Sequence, residues 1–369
     1  MRYIDEFRDP ALARALLERI RSQATRATRP MTFMEFCGGH THAIMRHGIR
    51  QLLPETVDMR SGPGCPVCVT AAGELDRAIA LANVPDAILT TFGDMIRVPG
   101  SHHSLQEAKA AGADVRVVYS TLDALQIAGE NPARPVIFLG VGFETTAPTV
   151  AASILQAEAQ GIANFYVYSV HKLTPPATRA ILDAGEVRLS GILGPGHVTT
   201  IIGTQAWGFL PRDYGLPCAV AGFEPLDILR AIEALVRRVI DDEPAVDNAY
   251  SRSVQARGNQ VALDVIDQVF KVGPADWRGL GVVPASGLHL RSAYARFDAA
   301  RAFPVQVPPA QEPQGCRCGE VLRGVALPTD CRLFRRACTP LRPVGPCMVS
   351  AEGACAAYYA YGDQERTVG

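Results

Sequence analysis

Two neighbouring segments read PVIFLGVGFETTAPTV (135–150) and NFYVYSVHK (164–172). Each begins with an apolar run of strand length, and a glycine-rich turn after the first run leads into a helical pattern. The same alternation extends from AILTTFGDM (87–95) to PCAVAGFEPLDILRAIEALVRRVI (217–240). Strands that alternate with helices of about ten residues predict βαβ units. We therefore expect an α/β fold with parallel sheets covered on both faces.

Short internal similarities suggest how the strands are divided. The turn GPGC (62–65) resembles GPGH (194–197), and TTFGDM (90–95) resembles GVGFETT (140–146). We interpret these pairs as two similar parallel-sheet βαβ halves facing a cleft; the alternative is a chance recurrence of turn chemistry. The predicted division is a first α/β domain at 56–130, a second at 131–244, and a third α/β domain built from 1–55 and 245–369 that carries a cysteine-rich iron–sulfur tail.

Length and composition limit the classes of protein that need to be considered. The chain has 369 residues, which suggests two or three domains, and it is 48% hydrophobic with a net charge of −1. A near-neutral balance gives no electrostatic argument for a nucleic-acid partner, and no apolar run approaches the roughly 20 residues of a membrane span. We expect neither nucleic acid nor membrane as a partner.

Six of the ten cysteines lie in a 40-residue tail, CRCGEVLRGVALPTDCRLFRRACTPLRPVGPCMVSAEGAC (316–355). A segment this rich in Pro and Gly needs disulfides, zinc or an iron–sulfur cluster to hold it together. The N-terminus shows no signal-peptide pattern, so we expect a cytoplasmic protein and consider disulfides the weakest option. The tail also lacks a CxxC pair, which disfavours zinc. Four thiolates could hold a [4Fe–4S] cluster and leave two cysteines for redox chemistry.

Cys37 lies where a predicted strand ends and a predicted helix begins. Two glycines follow it, and His40 and His42 lie within one helical turn. The N-terminus of a helix favours a thiolate, and thiol and imidazole groups together suit a soft metal or a nucleophile. The alternative is an inert buried cysteine beside a glycine turn.

A CxxC motif, Cys65-Pro66-Val67-Cys68, opens another predicted helix. This position lowers thiol pKa values and allows reversible disulfide formation; half of a zinc site is the alternative. In parallel α/β sheets, ligands bind at the carboxyl ends of the strands. The polar or reactive residues predicted at those ends are Cys37, Cys65, Cys68, Asp94, Glu144, His171 and His197.

Other residues have plainer interpretations. Cys218 is expected in the core, and His102 and His103 in a solvated loop. Residues 245–310 are predicted to form one helix, at about 257–271, followed by loops. Trp277 and Tyr294 in this region could pack against the sheets or face a partner.

Three motifs in this order resemble one family. They are FCGGHTHAI (36–44), GPGCPVC (62–68) and the cysteine pattern that runs from Cys316 to Tyr359. Together with TTFGDM, GVGFETTAP, YSVHK, GPGHV and AGFEP, they resemble the hydrogenase maturation factor HypD family over nearly the whole chain. The resemblance implies a cytoplasmic scaffold on which the Fe(CN)2CO unit of [NiFe]-hydrogenase is assembled. It also implies two partners, a HypC-type small chaperone and a HypE-type cyanide donor.

The resemblance also assigns residues. The family's cluster pattern, Cys-x14-Cys-x6-Cys-x16-Cys, falls on Cys316, Cys331, Cys338 and Cys355. It implies that Cys318 and Cys347 form a second thiol/disulfide pair between the cluster and Cys65/Cys68. It further implies that Cys37 holds the iron carrying CN and CO together with a cysteine of the HypC-type chaperone.

Iron carrying cyanide and CO needs a soft thiolate anchor, and attaching its ligands needs electrons, which thiol–disulfide exchange could relay. His40, Asp94 and His197 are candidates for hydrogen bonds or proton transfer to this iron; a structural role at a turn is the alternative for each. Cys65 and Cys68 could bind iron transiently or cycle as a disulfide. A different function for the whole chain is a free-standing iron–sulfur thiol/disulfide oxidoreductase.

Overall fold

Two parallel β-sheets organise the computed structural model, which describes residues 5–362. The strands are β1 (Met31–Glu35), β2 (Val57–Ser61), β3 (Ile88–Thr91), β4 (Asp114–Val117), β5 (Val136–Gly140), β6 (Phe165–Ser169), β7 (Gly191–Pro195), β8 (Cys218–Ala221), β9 (Val246–Asn248), β10 (Phe270–Trp277) and β11 (Gly281–Leu290). The first sheet has the order β2-β1-β7-β8-β9, and the second has the order β4-β3-β5-β6. All pairs within these two sheets are parallel, which confirms the predicted α/β class.

Helices follow most strands. They are α1 (Pro10–Ala24), α2 (Gly38–Arg46), α3 (Ile49–Leu52), α4 (Pro66–Val69), α5 (Ala72–Ala82), α6 (Leu105–Ala110), α7 (Thr121–Glu130), α8 (Ala147–Ala159), α9 (Thr174–Ala184), α10 (Gly196–Ile202), α11 (Phe209–Tyr214), α12 (Pro225–Asp241), α13 (Gln260–Val269), α14 (Ala299–Ala302), α15 (Cys318–Leu322) and α16 (Ala354–Tyr361). Between residues 5 and 362, none of them has the length and apolar character that crossing a membrane requires.

Local sequence explains why these helices begin where they do. Asp9 caps α1 by accepting the N–H groups of Ala11 and Leu12, and Pro10 occupies the first turn, where its missing N–H costs nothing. Ser104 and Glu107 form a capping box at the start of α6. The central strands are buried over their whole length, as the uninterrupted apolar runs predict.

Each sheet is covered by its own helices. Helices α1, α2 and α12 share an apolar core with one face of the first sheet, around Ile20, Phe33 and Ile232. Helices α7, α8 and α13 cover one face of the second sheet, around Phe138 and Ile154, while α5, α6 and α14 cover its other face. The tail packs α16 against α2 through Met45, Ala357 and Tyr358. Burial therefore supports part of the tail without any staple.

The two sheets share one strand order. In each, the earliest strand lies inside the sheet, the next strand flanks it, and the later strands continue on its other side. This order leaves a crevice at the carboxyl ends of β1 and β7 in the first sheet, and of β3 and β5 in the second. Such crevices are where open α/β sheets bind ligands.

The predicted domain ranges do not coincide with the sheets. The chain leaves the first sheet after β2 and returns at β7, so 56–130 and 131–244 each supply strands to both sheets. The range 1–55 supplies β1 to the interior of the first sheet rather than to a third domain. Apolar runs locate strands but do not encode which neighbour each strand pairs with, because every buried parallel strand presents a similar pattern.

The internal similarities have a different origin from the one expected. The two GPG turns follow β2 and β7, which both pair with β1, and the other two similar segments lie at the ends of β3 and β5, which pair with each other. Each similar pair thus marks neighbouring turns at one edge of one sheet, and not equivalent turns in two halves.

Residues 245–310 are not loops after α13. Strands β10 and β11 form an antiparallel hairpin with a register shift between Gly273 and Ala275. Much of β10 is exposed, so its sequence lacks the apolar run that reveals a strand. Trp277 and Tyr294 are buried and pack inside the protein.

Candidate functional site

All six tail cysteines line one pocket. Apolar side chains complete its wall, among them Val321, Leu333, Phe334 and Met348; the cysteines are Cys316, Cys318, Cys331, Cys338, Cys347 and Cys355. As the side chains stand, residues 5–362 contain no group of three or more His, Cys, Asp or Glu residues ready to hold one metal ion. The donor set and the apolar wall nevertheless fit an iron–sulfur cluster, which is held by cysteine thiolates.

Burial disfavours the thiolate form of two cysteines in this pocket, Cys316 and Cys338. Burial raises the pKa of Cys316 to about 12, and the nearby thiols of Cys318, Cys331 and Cys355 add to this effect. Burial also raises the pKa of Cys338, although the N–H groups of Gly345 and Val344 oppose it. Thiolates that repel each other in a buried pocket require bound positive charge to ionise together.

The cysteines at and beside this pocket include two close pairs. The sulfur atoms of Cys318 and Cys347 are 2.7 Å apart, and Cys65 and Cys68 form a disulfide with Cα atoms 5.2 Å apart. All four belong to one apolar cluster with Trp277, and α4 contacts the turn that contains Cys347. The structure therefore places the two pairs next to each other.

A buried arginine borders the Cys318–Cys347 pair. Arg278 is 3% exposed; its Nε donates to the Thr70 carbonyl, and its Nη1 pairs with Glu312. Its Nη2 atom is buried and has no hydrogen-bond partner among the described residues. The hydrogen bond with Cys347 and the positive charge of Arg278 lower the pKa of Cys318. Arg278 was not predicted, because one arginine in a hairpin turn has no distinguishing sequence pattern.

Cys37 occupies the crevice of the first sheet. It lies between the end of β1 and the start of α2, as predicted, and the Gly38 N–H donates to the Gly64 carbonyl at 2.8 Å. A Cβ atom on Gly64 would overlap the backbone of Phe36 and Cys37. The glycine of the GPGC turn thus allows the CxxC segment to lie directly against Cys37.

The Cys37 thiol is not activated as the sequence suggests. Burial raises its pKa to about 12, and the carboxyl groups of Glu352 and Glu35 add to the shift. The N–H groups of Gly39 and His40 lower the pKa but do not outweigh burial. A thiol of this kind loses its proton when it binds a metal ion, whose charge replaces the proton's.

Two histidines lie against one phenylalanine at the same edge. The Phe223 ring lies 4.8 Å from the His40 ring and 4.0 Å from the His197 ring. His40 Nε2 lies within 3.2 Å of the Ala221 and Gly222 carbonyls, so it carries the hydrogen, and Nδ1 remains a buried acceptor without a partner among the described residues. Burial lowers the His40 pKa to about 4 and also lowers that of His197. Both imidazoles are neutral at pH 7.

A tail loop, Ser350 to Gly353, covers this edge. His42 Nδ1 lies 3.2 Å from the Ala351 carbonyl, and Arg97 Nη2 donates to the Val349 carbonyl at 3.0 Å. The Glu352 side chain lies against Gly38, which leaves no room for a Cβ there. Burial and then the Asp94 charge raise the Glu352 pKa. Because Asp94 follows β3, this loop brings the carboxyl edges of the two sheets together.

A sequence model of one protein family matches nearly the whole chain. The model described as "HypD: Hydrogenase formation hypA family" matches residues 11–362, which include every residue of the site described above. The chain belongs to the HypD family.

Full-length relatives agree with this assignment. The hydrogenase maturation factors HypD of Rhizobium leguminosarum and Cupriavidus necator are each 50% identical to this chain over 370 residues, with 98% of this chain covered and 96% and 97% of theirs. The HypD of Escherichia coli is 48% identical over 373 residues, and the alignment covers 99% of each chain. A role in hydrogenase maturation follows for this HypD-family protein.

The structure separates the predicted site residues into groups. Cys37, His40, His197 and, across the tail loop, Asp94 lie around the first crevice, and the eight other cysteines named for chemistry lie behind it. Glu144 instead accepts the N–H of Thr174 at the start of α9, and His171 is buried beside Ser169 and Phe270. Cys218 is buried in the core, as expected.

Three residues of the first crevice were not predicted. Glu35 accepts the Cys37 N–H at 3.0 Å, Glu352 covers Gly38, and Phe223 contacts both histidines. Glu35 lies two positions before Cys37, so its place beside the site could have been predicted from the sequence. Glu352 and Phe223 come from distant segments, and only the folded chain brings them to Cys37.

Proposed function

We propose that this protein is the scaffold on which the Fe(CN)2CO unit of [NiFe]-hydrogenase is assembled. One observation carries the proposal: an isolated cysteine at a sheet crevice is backed by a disulfide, a second thiol pair and a pocket lined by four more cysteines. Sulfur groups in this succession connect a metal-anchoring position with a site able to store electrons.

The iron is the substrate, and Cys37 is its anchor. Its thiolate would share the iron with a cysteine of a HypC-type small chaperone. His40 presents an unprotonated Nδ1 acceptor at the same buried edge, where His197, Glu352 and Asp94 also lie. These polar groups orient hydrogen bonds to the iron's ligands, while Phe223 and the tail loop keep water away.

The redox components lie behind this anchor. Cys316, Cys331, Cys338 and Cys355 would hold a [4Fe–4S] cluster, which supplies single electrons when bound. Thiol–disulfide exchange between the two neighbouring pairs is balanced: the Cys65–Cys68 disulfide becomes two thiols as Cys318 and Cys347 become a disulfide. The hydrogen bond with Cys347 and then the charge of the buried Arg278 favour a thiolate at Cys318, the form that attacks a disulfide.

A HypE-type protein is the proposed source of cyanide, and the proposed compartment is the cytoplasm. Reductive release of cyanide from its carrier requires electrons beside the iron. The Cys65–Cys68 pair is the redox group nearest to Cys37 in sequence, and the hydrogen bond between Gly38 and Gly64 joins the two segments. This neighbourhood supports a role for the pair in ligand attachment.

Infrared spectroscopy tests the scaffold function directly. The protein is purified anaerobically with a HypC-type chaperone from cells that contain the remaining maturation proteins. We expect cyanide and carbonyl stretching bands that disappear in Cys37→Ala and persist in Cys218→Ala, a control at a buried cysteine outside the site. Iron–sulfur absorption without these bands in the unaltered complex would instead support a free-standing thiol/disulfide oxidoreductase.

A further inference from the structure

One part of the tail has an unusual charge pattern. Residues 331–351, CRLFRRACTPLRPVGPCMVSA, contain four arginines and no acidic residue, in a chain whose net charge is −1. These arginines are Arg332, Arg335, Arg336 and Arg342. Balanced composition over the whole chain thus conceals a local concentration of positive charge.

This charge lies on the wall of the cysteine pocket. We call residues 331–345 the basic loop; its Cys331, Leu333, Phe334, Cys338 and Gly345 line the pocket directly. The loop is held in place by backbone hydrogen bonds within two tight turns and by the Val344 N–H, which donates to the Cys338 sulfur at 3.3 Å. The arginines are therefore displayed on a structured surface next to the cluster position.

Three of the four arginine side chains face solvent without a charged partner among the described residues. Arg332, Arg336 and Arg342 are exposed and form no ion pair with any carboxylate in residues 5–362, whereas Arg335 Nη2 donates to the Tyr358 and Tyr359 carbonyls. Elsewhere, charges are commonly matched, as where Arg116 and Arg134 both bind Asp114. Unmatched surface charges do not reduce solubility. They attract a partner of opposite charge and accelerate its association.

An apolar residue lies among these charges. Leu341 is 94% exposed, next to Arg342 in the second turn of the basic loop. A large exposed apolar side chain surrounded by charged groups is the arrangement found at protein interfaces, where the apolar centre is buried and the charged rim sets orientation.

We propose that the basic loop is the docking surface for a small acidic electron-transfer protein, and this rests on the proposed redox function of the four-cysteine site. An acidic surface matches the arginines, and docking there places the donor's redox centre beside Cys331. Each donor loses one electron per encounter. Two encounters and two protons balance the conversion of one protein disulfide into two thiols.

Direct binding tests the surface without relying on maturation activity. The probe is a reduced plant-type [2Fe–2S] ferredoxin, chosen for its acidic surface, titrated into the full-length protein at about 50 mM and about 500 mM salt. The test variant is Arg332→Gln/Arg336→Gln/Arg342→Gln. The matched control is Arg14→Gln/Arg19→Gln/Arg29→Gln. It removes the same charge from exposed arginines that are distant from the basic loop in sequence.

The expected result is that affinity falls about tenfold or more in the test variant and at high salt, while the control binds like the unaltered protein. Leu341→Ala should weaken binding severalfold without changing the salt dependence. Rapid-mixing reduction by the ferredoxin should slow in parallel, whereas reduction by dithionite, a small reductant, stays unchanged.

Three results overturn the proposal. They are equal affinity of the test and control variants, affinity independent of salt, and tighter binding of a short single-stranded RNA than of the ferredoxin, which would assign the surface to nucleic acid. Iron content and visible absorption separate these outcomes from failure of the proposed function. A protein that binds no cluster contradicts the redox site itself, whatever the ferredoxin does.

Discussion

Burial, and after it the charge of the neighbouring Glu352, lowers the reactivity of Cys37. Because Glu352 raises the Cys37 pKa, Glu352→Gln should lower it while keeping the shape that covers Gly38. We expect alkylation of Cys37 at pH 8 to accelerate about two- to tenfold, since the thiolate is the reacting form. Peptide mass spectrometry of iodoacetamide-treated protein measures the rate at this cysteine alone. Glu352→Asp keeps the charge, so its Cys37 should be alkylated at nearly the rate of the unaltered protein. Faster alkylation in both variants would indicate that the Glu352 side chain protects Cys37 by covering it and not by its charge.

Glu144 gives a pH-dependent stability that belongs to the fold and not to the site. Burial raises its pKa from 4.5 to about 7, while its carboxylate accepts the Thr174 N–H at 2.8 Å. Between these pH values the folded state binds more protons than the unfolded state, so the unfolding free energy falls as pH rises, by at most about 1.4 kcal/mol per unit.

Glu144→Gln should abolish this contribution because the amide does not titrate and still offers an acceptor oxygen. Urea unfolding of both proteins from pH 5 to pH 8 measures it: the stability of the variant relative to the unaltered protein should rise through this window. Profiles that stay parallel would show that Glu144 titrates normally in the folded state.

At the scale of elements, the contact between two turns joins Cys37 to the CxxC segment. Gly64→Ala should force these turns apart, because the added Cβ meets backbone atoms that cannot rotate away. We expect a loss of about 2–4 kcal/mol of unfolding free energy. Gly129→Ala is the control: its Cβ meets no described atom within 4 Å, and its helix should be stabilised by up to about 1 kcal/mol. Equal urea midpoints for the two variants would contradict the close contact.

The strand predictions succeeded where the sequence carries an apolar run and failed where it does not. The strands β3, β5, β6 and β8 carry apolar runs and were predicted, as was the start of α2 at Cys37. Strand β2 alternates with polar residues, and β10 is largely exposed, so neither has that signal. Side chains such as Glu352 reach the site through tertiary packing, which no local pattern contains.

At the scale of the whole molecule, the order of the motifs was enough to identify the family. The same motifs did not predict how the chain passes between the two sheets. Similar turns were expected in separate halves, yet each similar pair lies at one edge of one sheet. Strand pairing depends on long-range packing between equally apolar strands, and the sequence patterns of such strands do not distinguish their neighbours. The crevices could be predicted from the carboxyl-end rule, but not which residues share a crevice.

The attachment of the tail leads to a prediction about the cluster. Helix α16 is held on α2 by Met45, Ala357 and Tyr358, whereas residues 331–345 have few buried side chains. Cys331→Ala should therefore remove the iron–sulfur absorption and loosen residues 331–345, yet leave α16 docked. Hydrogen exchange measured by mass spectrometry should rise severalfold or more in this loop and little in α16 or in the strands.

Cys218→Ala is the control, because it makes the same cysteine-to-alanine change at a buried position but leaves the tail thiols in place. It should keep its colour and the exchange pattern of the unaltered tail. If Cys331→Ala loses the cluster and residues 331–345 remain as protected as before, backbone hydrogen bonds alone hold the loop. If α16 exchanges as fast as the loop, the cluster supports the whole tail, and the packing of Tyr358 and Ala357 against Met45 contributes little.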